Sequence, residues 1–339
     1  MAVRWRQMRA RDIAECVDII ARHPVLRARY GNAIQHLRPA WLRLLECEAR
    51  CTVVCEHKEG SQTVICAAGV SLFVTDDFVR EVKSGPLFWL GPELAKRVAR
   101  GASPVLSDRQ MRESNSVGGL NLLVWEGCIR AEFGGDVEVQ RSMINTFIRD
   151  HRGYLWKEVI GSQVVSAERL EWMVKTGGSL WNPEKARYVD LSGLNAAEVV
   201  KKPHVVGVMP GSEIAEDATW IGGLFDYAAP RFGFSQSEQK LVLAAMDGEG
   251  TDIELASALR LSVPTIKNMW ASIYRRVADD RPEIISESAH LGANASSRGR
   301  EKRRRLLSYL REHPEELRPY SLRLVKKKHA RPPRVCDGS

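Results

Sequence analysis

The chain has 339 residues, which at roughly 100–200 residues per domain predicts two domains with connecting segments. Its 44% apolar and 27% charged residues are ordinary for a globular protein and argue against a disordered or fibrous chain. No apolar run approaches the roughly 20 residues of a membrane span, and none follows the basic N-terminus, so we expect neither a membrane protein nor an exported one.

The seven cysteines are odd in number and irregularly spaced, which argues against a disulfide framework and favours a reducing cytoplasm. Cys47, Cys51 and Cys55 follow one another at helical spacing. On a helix their thiols would share one face, with His57 and Cys66 nearby, and could hold zinc or an iron–sulfur cluster. The β-branched run after Cys51 predicts a strand instead, which would scatter the thiols. We therefore expect structural cysteines, no metal site and no cofactor.

Positive charge is concentrated near the C-terminus. Residues 298–334 hold 14 Lys and Arg residues against 4 Glu residues, an excess of ten, whereas the whole chain carries +8. The rest of the chain is therefore close to neutral. Such a block is the electrostatic signature of a polyanionic partner.

Residues 1–190 alternate between helical and strand-like patterns, which predicts an α/β or α+β domain. The predicted helices are 11–21, 39–45, 92–99, 139–149 and 167–175, and the predicted strands are 52–54, 63–74, 119–125 and 156–165. The first two strands form a predicted hairpin around Gly60 and Ser61. Asp76 and Asp77 directly follow a strand and are interpreted as a turn.

The remainder of the chain is predicted to be helical with two interruptions. Residues 191–233 contain several prolines and glycines and are predicted as a linker with a short helix near 219–227. Residues 234–284 form a compact helical domain. Residues 285–300 are a second predicted linker, and residues 301–339 are a basic helical tail.

Three helix starts are visible within residues 234–278. Ser235 and Thr251 each precede a glutamate by three residues, which is the spacing of a capping box. Ser262 is a third N-cap, and Pro264 suits the first turn of the helix that follows. The second and third helices are about four residues apart, the geometry of a helix-turn-helix.

Apolar spacing predicts which sides of these helices are buried. On the second helix the predicted buried residues are Ile253, Ala256 and Leu259. On the third they are Ile266, Met269, Trp270, Ile273 and Val277. The small Ala256 suits the close approach of two helices.

Four polar side chains at helical spacing share the opposite side of the third helix. They are Thr265, Asn268, Ser272 and Arg275. No acidic residue occurs between positions 262 and 278, where a carboxylate would repel DNA. Short polar and basic groups of this kind suit contacts with phosphates and base edges. The residues predicted to contact DNA are Thr251, Thr265, Lys267, Asn268, Ser272, Arg275 and Arg276.

Two runs within this segment match a known family. The run Ser-x-x-Thr-Val-Lys-x-His-x-x-x-Ile-Tyr-x-Lys is matched by Ser262, Thr265, Ile266, Lys267, Ile273, Tyr274 and Arg276, and the run Asn-x-Glu-Ile-Ala is matched by Asp252, Glu254, Leu255 and Ala256. Met269 replaces the usual His, and Arg260 replaces a turn Gly. The segment thus resembles a LuxR-type helix-turn-helix. That resemblance implies a sequence-specific transcriptional regulator that places residues 262–277 in the major groove of double-stranded DNA.

Other interpretations of the C-terminal half stay open. The three helices could pack without binding DNA, or they could form a sigma-factor-like module. The tail could contact phosphates without sequence specificity, or its leucines could pack on the rest of the protein. A nucleoid-type binder that works mainly through the tail is a further alternative. A homodimer is compatible with a regulator of this kind.

Arg9 and Asp12 before a helix, the predicted hairpin at 52–74, the run from His151 to Tyr154, and Glu171 before Gly177 form a layout that resembles N-acetyltransferases of the GNAT family. In that family a strand leads into Arg/Gln-x-x-Gly-x-Gly/Ala, whose backbone amides bind the pyrophosphate of acetyl-CoA. Here Arg130, Gly134 and Gly135 depart from this spacing, and Glu132 and Asp136 would repel phosphate. We therefore expect no catalytic residues and a domain that senses a small molecule or a protein partner. The alternative is a bifunctional acetyltransferase fused to a DNA-binding module.

Overall fold

The structure is a computed structural model that describes residues 3–59, 62–161, 164–175, 178–191, 193–210, 222–248, 250–286 and 295–329. It divides into two compact units. The sheet unit comprises Met1–Ser114 and Gly118–Asp226, and the helical unit comprises Asn115–Val117 and Tyr227–Ser339.

The sheet unit is built on one mixed sheet of eight strands. These are β1 (Val3–Gln7), β2 (Arg50–Glu59), β3 (Gln62–Val74), β4 (Leu120–Ile129), β5 (Trp156–Gly161), β6 (Ser179–Asn182), β7 (Arg187–Asp190) and β8 (Val206–Val208). Their order across the sheet is β1-β2-β3-β4-β5-β8-β6-β7. The pair β4 and β5 is parallel and the other neighbours are antiparallel. The predicted hairpin of β2 and β3 is confirmed, and β5 ends earlier than the expected strand.

Helices connect these strands, so the expected mixture of helix and sheet is confirmed. They are α1 (Ile13–Arg22), α2 (Pro24–Tyr30), α3 (Leu37–Leu44), α4 (Asp76–Ser84), α5 (Leu90–Ala99), α6 (Asp108–Ser116), α7 (Val137–His151), α8 (Ala167–Lys175), α9 (Ala196–Lys201) and α10 (Gly222–Phe225). The turn expected at Asp76 and Asp77 is instead the first turn of α4. The Thr75 hydroxyl caps that helix by accepting a hydrogen bond from the Phe78 amide (3.3 Å).

The segment expected to be a linker, residues 191–233, contributes to the sheet. It contains α9 and β8, and Val206 and Val208 of β8 pair with β5. A strand of three residues is too short to show a periodic pattern, and pairing with strands distant in sequence supplies its hydrogen bonds. The predicted helix at 219–227 is observed at Gly222–Phe225, and its first residues lie outside the described part of the chain.

Every element assigned in the helical unit beyond Tyr227 is a helix. These are α11 (Gln236–Gly248), α12 (Asp252–Leu259), α13 (Val263–Asp280), α14 (Pro282–Ile285), α15 (Ala295–Glu312) and α16 (Leu322–His329), with a short 3-10 helix at Pro314–Leu317. Buried apolar side chains of α11 to α15 and of the 3-10 helix form one core. The second predicted linker, residues 285–300, is therefore partly helical from Ala295 onward.

The basic tail belongs to this core. Leu306, Leu307 and Leu310 of α15 are at most 5% exposed and lie in the same apolar cluster as Ile266 and Trp270 of α13. Of the two interpretations of the tail, packing of its leucines is confirmed. Phosphate contact by its exposed cations stays a prediction.

We expect Leu306→Ala to destabilise the helical unit by about 2–5 kcal/mol, because the substitution leaves a cavity in a closed core. The destabilisation is measured by hydrogen–deuterium exchange in the full chain, as a loss of protection of the α13 amides. Ser308→Ala, at an exposed position of the same helix, is the matched control and is expected to change stability by at most about 0.5 kcal/mol. Equal protection in both variants would contradict the packing role of α15.

Candidate functional site

The connection between α12 and α13 is a tight turn of three residues. Arg260 has a φ of 55°, in the left-handed region, and the Leu261 amide donates to the Ala256 carbonyl (2.9 Å). Many helices end with one residue in this left-handed conformation, and that residue is usually glycine. Ser262 then caps α13 by accepting from the Thr265 amide (3.2 Å). The predicted helix starts are confirmed here and at Thr251, where the capping box with Glu254 forms.

The buried side of α13 agrees with its apolar spacing. Ile266, Trp270, Ile273 and Val277 are buried, and Met269 is half-buried. On α12 the expectation was wrong at one position. Ile253 is 71% exposed, and Leu255 lies in the core beside Ala256. At about 100° per residue, Ile253 lies about 160° around the helix from Leu255, so it faces away from the side that Leu255 buries.

The residues predicted to contact DNA divide into two groups. Those exposed are Thr251, Thr265, Lys267, Asn268 and Arg275, and those half-buried are Ser272 and Arg276. Within the exposed group, Thr251 also uses its hydroxyl in the capping box of α12. Four exposed side chains of α13 therefore lie on or beside its outer face.

Ser272 and Arg276 contact the buried carboxylate of Glu238 on α11. Arg276 lies 3.5 Å from Glu238 Oε1 and also donates to the Gly233 carbonyl (3.1 Å). Burial raises the pKa of Glu238, but hydrogen bonds from Ser235 and Ser272 and the charge of Arg276 together hold it below its ordinary value. Both side chains thus help to hold α13 against α11.

Arg303 of α15 connects the three helices. Its guanidinium bonds Asp252 Oδ1 of α12 (2.6 Å) and lies 4.4 Å from the ring centre of Trp270 of α13. Lys302 lies 5.2 Å above the ring of Tyr274. These two cations of the tail therefore contact the protein itself. By contrast, Arg300 is exposed, and the exposed Arg304 pairs with Glu301 of the same helix (2.9 Å).

The sheet unit contains a cavity of about 170 Å³ next to the parallel strands β4 and β5. Much of its wall is apolar. Residues that contribute to it are Val124, Met143, Phe147, Val159, Met173 and Val206. They come from β4, β5, β8, α7 and α8, so the sheet and two of its helices build the cavity together.

Polar side chains also line this cavity. The Ser71 hydroxyl lies 2.6 Å from His151 Nε2, and His151 Nδ1 lies 2.7 Å from the Phe147 carbonyl. Because a carbonyl only accepts, Nδ1 of His151 carries a proton and donates to Phe147. Arg169 on α8 also lines the cavity, and burial lowers its pKa to about 10.

Glu126 is a buried acid on β4 that the sequence did not single out. Its Oε1 accepts a hydrogen bond from the Tyr30 hydroxyl (2.6 Å), which in turn accepts from Trp125 Nε1 (3.0 Å). Burial raises the pKa of Glu126 to about 7 despite this hydrogen bond and the charge of Arg29. A glutamate within an apolar strand is the one signal in the sequence that could have identified it.

The loop between β4 and α7 supplies the N-cap residue of α7. Asp136 accepts hydrogen bonds from the amides of Glu138 (2.8 Å) and Val139 (3.2 Å), which begin α7. Glu132 is exposed in the same loop. The amides that could bind a phosphate at this helix start are thus occupied by a carboxylate.

The cysteines that the sequence places on a strand are found on one. Cys51 and Cys55 are part of β2, which excludes the helical spacing that a shared metal site required. Within the described ranges no group of three or more His, Cys, Asp and Glu side chains is placed to hold a metal. In that same part of the chain, no helix has the length and hydropathy needed to cross a membrane.

Comparison with models of protein families, with curated proteins and with solved structures finds no match for this chain.

We expect Glu126 to make the sheet unit less stable as the pH rises. The pKa of about 7 in the folded protein lies above the ordinary value, so the folded state holds the extra proton. That stabilisation is complete below about pH 4 and is lost by about pH 7, a change on the order of 3 kcal/mol. Glu126→Gln should remove this loss, as measured by denaturant unfolding across that range.

The control for this experiment is Glu132→Gln, because Glu132 is an exposed carboxylate of the same unit. This variant should keep the pH dependence of the wild type. An unchanged pH profile in Glu126→Gln would contradict the raised pKa of Glu126 in the folded protein.

Proposed function

We propose that the protein is a sequence-specific DNA-binding transcriptional regulator, in which residues 262–277 enter the major groove and the sheet unit senses a ligand or a partner. The single observation that carries this proposal is the outer face of α13. Lys267, Asn268 and Arg275 are exposed there together with Thr265. This combination of amide, hydroxyl and cationic groups suits both base edges and phosphates.

The position of the acidic groups supports the same function. Glu238 contacts Ser272 and Arg276, Asp252 pairs with Arg303, and Glu254 caps α12. Three carboxylates of the helices next to α13 are thus used within the protein. A DNA-binding face needs low negative charge, because each uncompensated carboxylate repels the phosphates.

α15 also carries exposed cations. Arg300 is exposed on a helix whose leucines are buried, and the exposed Arg304 pairs with Glu301 of the same helix (2.9 Å), so packing and phosphate contact are compatible functions of one element. We therefore propose that α13 reads the bases and that α15 adds non-specific contacts with the phosphates.

We expect Asn268→Ala and Arg275→Ala each to weaken binding to the preferred DNA sequence by about 1–3 kcal/mol, where the side chain reads a base. The preferred sequence is first obtained by selection from a random DNA pool. Affinities are then measured by fluorescence anisotropy for the preferred and for a scrambled duplex. Loss of discrimination between the duplexes is the expected result.

Two controls separate recognition from folding and from net charge. Lys185→Ala removes one exposed cation from the sheet unit and should leave discrimination unchanged. Arg276→Ala should act through its contact with Glu238 and therefore reduce the stability of the helical unit as well. If Asn268→Ala and Arg275→Ala both fold and both keep wild-type affinity and discrimination, the outer face of α13 is not the DNA-recognition surface.

The bifunctional acetyltransferase is the second candidate, favoured by a buried acid with a pKa near neutrality beside a cavity. Its cofactor would need free backbone amides at the start of α7, which Asp136 occupies. We therefore propose that the sheet unit is not catalytic. Calorimetry of the full chain with acetyl-CoA should show no binding, and an acetyl-transfer assay should show no turnover. Micromolar binding accompanied by turnover would establish the enzyme instead.

A further inference from the structure

The size of the cavity in the sheet unit limits what it can hold. At about 170 Å³ it is slightly larger than the engineered apolar cavity of about 150 Å³ in another protein, which binds benzene. A guest of about one ring therefore fits. Met143 of α7 and Met173 of α8 line the cavity, and methionine side chains adapt to the shape of a guest.

The middle of β4 contributes apolar surface to this cavity. Val124 and Gly127 are half-buried there, whereas Trp125 and Glu126 between them are buried. Both half-buried residues line the cavity. Because β4 lies between β3 and β5 inside the sheet, the cavity accounts for the surface that they leave uncovered. A guest at this position removes apolar surface from water, which is favourable.

The uncharged polar groups that line the cavity already have partners within the protein. Trp5 Nε1 donates to a serine hydroxyl of α7 (3.0 Å), and the Ser71 hydroxyl lies 2.6 Å from His151 Nε2. The Cys51 thiol donates to Asp150 Oδ2 (3.8 Å). A polar guest would therefore have to replace an existing contact to gain a hydrogen bond of its own.

The charged groups that line the cavity are also engaged, and both signs of charge are present. Glu126 accepts from the Tyr30 hydroxyl (2.6 Å), Asp150 Oδ1 accepts from Arg149 Nε (2.8 Å), and Arg169 has an interaction within the protein. An anionic guest would meet two carboxylates, and a cationic guest would meet a guanidinium. Either guest would leave water without gaining a new partner, which costs free energy.

We propose that this cavity binds a neutral apolar molecule of about one ring, such as an alkylbenzene, through contacts with its apolar wall. This proposal rests on the proposed function in one respect, because the guest is the signal that the sheet unit senses. Binding to the cavity itself does not require DNA, so the two can be tested apart.

The test is calorimetry of the full chain, without DNA, at neutral pH and with toluene as the probe. Benzoate and benzylamine have a similar shape but carry a negative and a positive charge, respectively. We expect toluene to bind at least about tenfold more tightly than either, because the cavity offers a buried charge no new partner.

Variants then assign the binding to the cavity. Val124→Phe places a ring in the cavity and should weaken toluene binding at least about tenfold, because the filled space no longer admits a guest. Val137→Phe makes the same substitution at an exposed position of the same unit and should bind toluene like the wild type. Thermal unfolding verifies that each variant folds.

NMR of the methionine methyl groups locates the guest in the wild-type protein. An aromatic ring shifts the signals of methyl groups that it contacts. The signals of Met143 and Met173 should therefore move on addition of toluene, whereas that of Met246, in the helical unit, should not. A shift at Met246 without shifts at the two lining methionines would place the guest elsewhere and overturn the proposal.

Three calorimetric results would also overturn it: no binding of toluene by the wild type, binding of benzoate or benzylamine as tight as that of toluene, or wild-type affinity for toluene in a folded Val124→Phe variant. The first two use the wild-type protein, so they decide the question even where Val124→Phe does not fold. The affinity of the ligand-free protein for DNA is measured separately. A protein that binds toluene but not DNA would retain the cavity assignment and refute the proposed regulator, and the reverse result would do the opposite.

Discussion

The helical unit depends on apolar contact between α15 and the helices α11, α12 and α13. Leu306 and Leu310 close the core from one side, while Arg303 on the same helix bonds Asp252 and covers the ring of Trp270. Because α15 covers these groups, α13 can present its polar residues to solvent without exposing its apolar side. The position of the candidate DNA-binding face thus follows from how a basic helix buries its leucines.

The helical unit also depends on hydrogen bonds and ion pairs that its carboxylates make within the protein. Asp252, Glu254 and Glu238 each have a partner within the protein, as an ion pair, a helix cap or a buried contact. Asp252 and Glu238 pair with arginines of α15 and α13, which joins these helices and compensates two negative charges near α13, whereas Glu254 caps its own helix through Thr251. One set of interactions therefore serves both stability and the electrostatics that a DNA-binding surface requires.

In the sheet unit, the cavity and a buried acid lie at the parallel pair of β4 and β5. The cavity lies beside these strands, and Glu126 on β4 is buried where α2 contributes the Tyr30 hydroxyl. Neighbouring polar groups satisfy one another, as Ser71 and His151 do. The unit therefore combines an apolar interior with a few fixed polar groups, which is the usual composition of a small-molecule site.

The sequence by itself determined local features. The caps at Thr251 and Ser262, the buried stripe of α13 and the hairpin of β2 and β3 all follow from spacing over a few residues, because capping and amphipathicity are local. Only the tertiary structure decided the rest. β8 is a strand because it pairs with β5, Ile253 is exposed because α12 turns the side with Leu255 and Ala256 toward the core, and Glu126 accepts from Tyr30, 96 residues away in the chain. Contacts between residues distant in the chain leave no periodic signal in it.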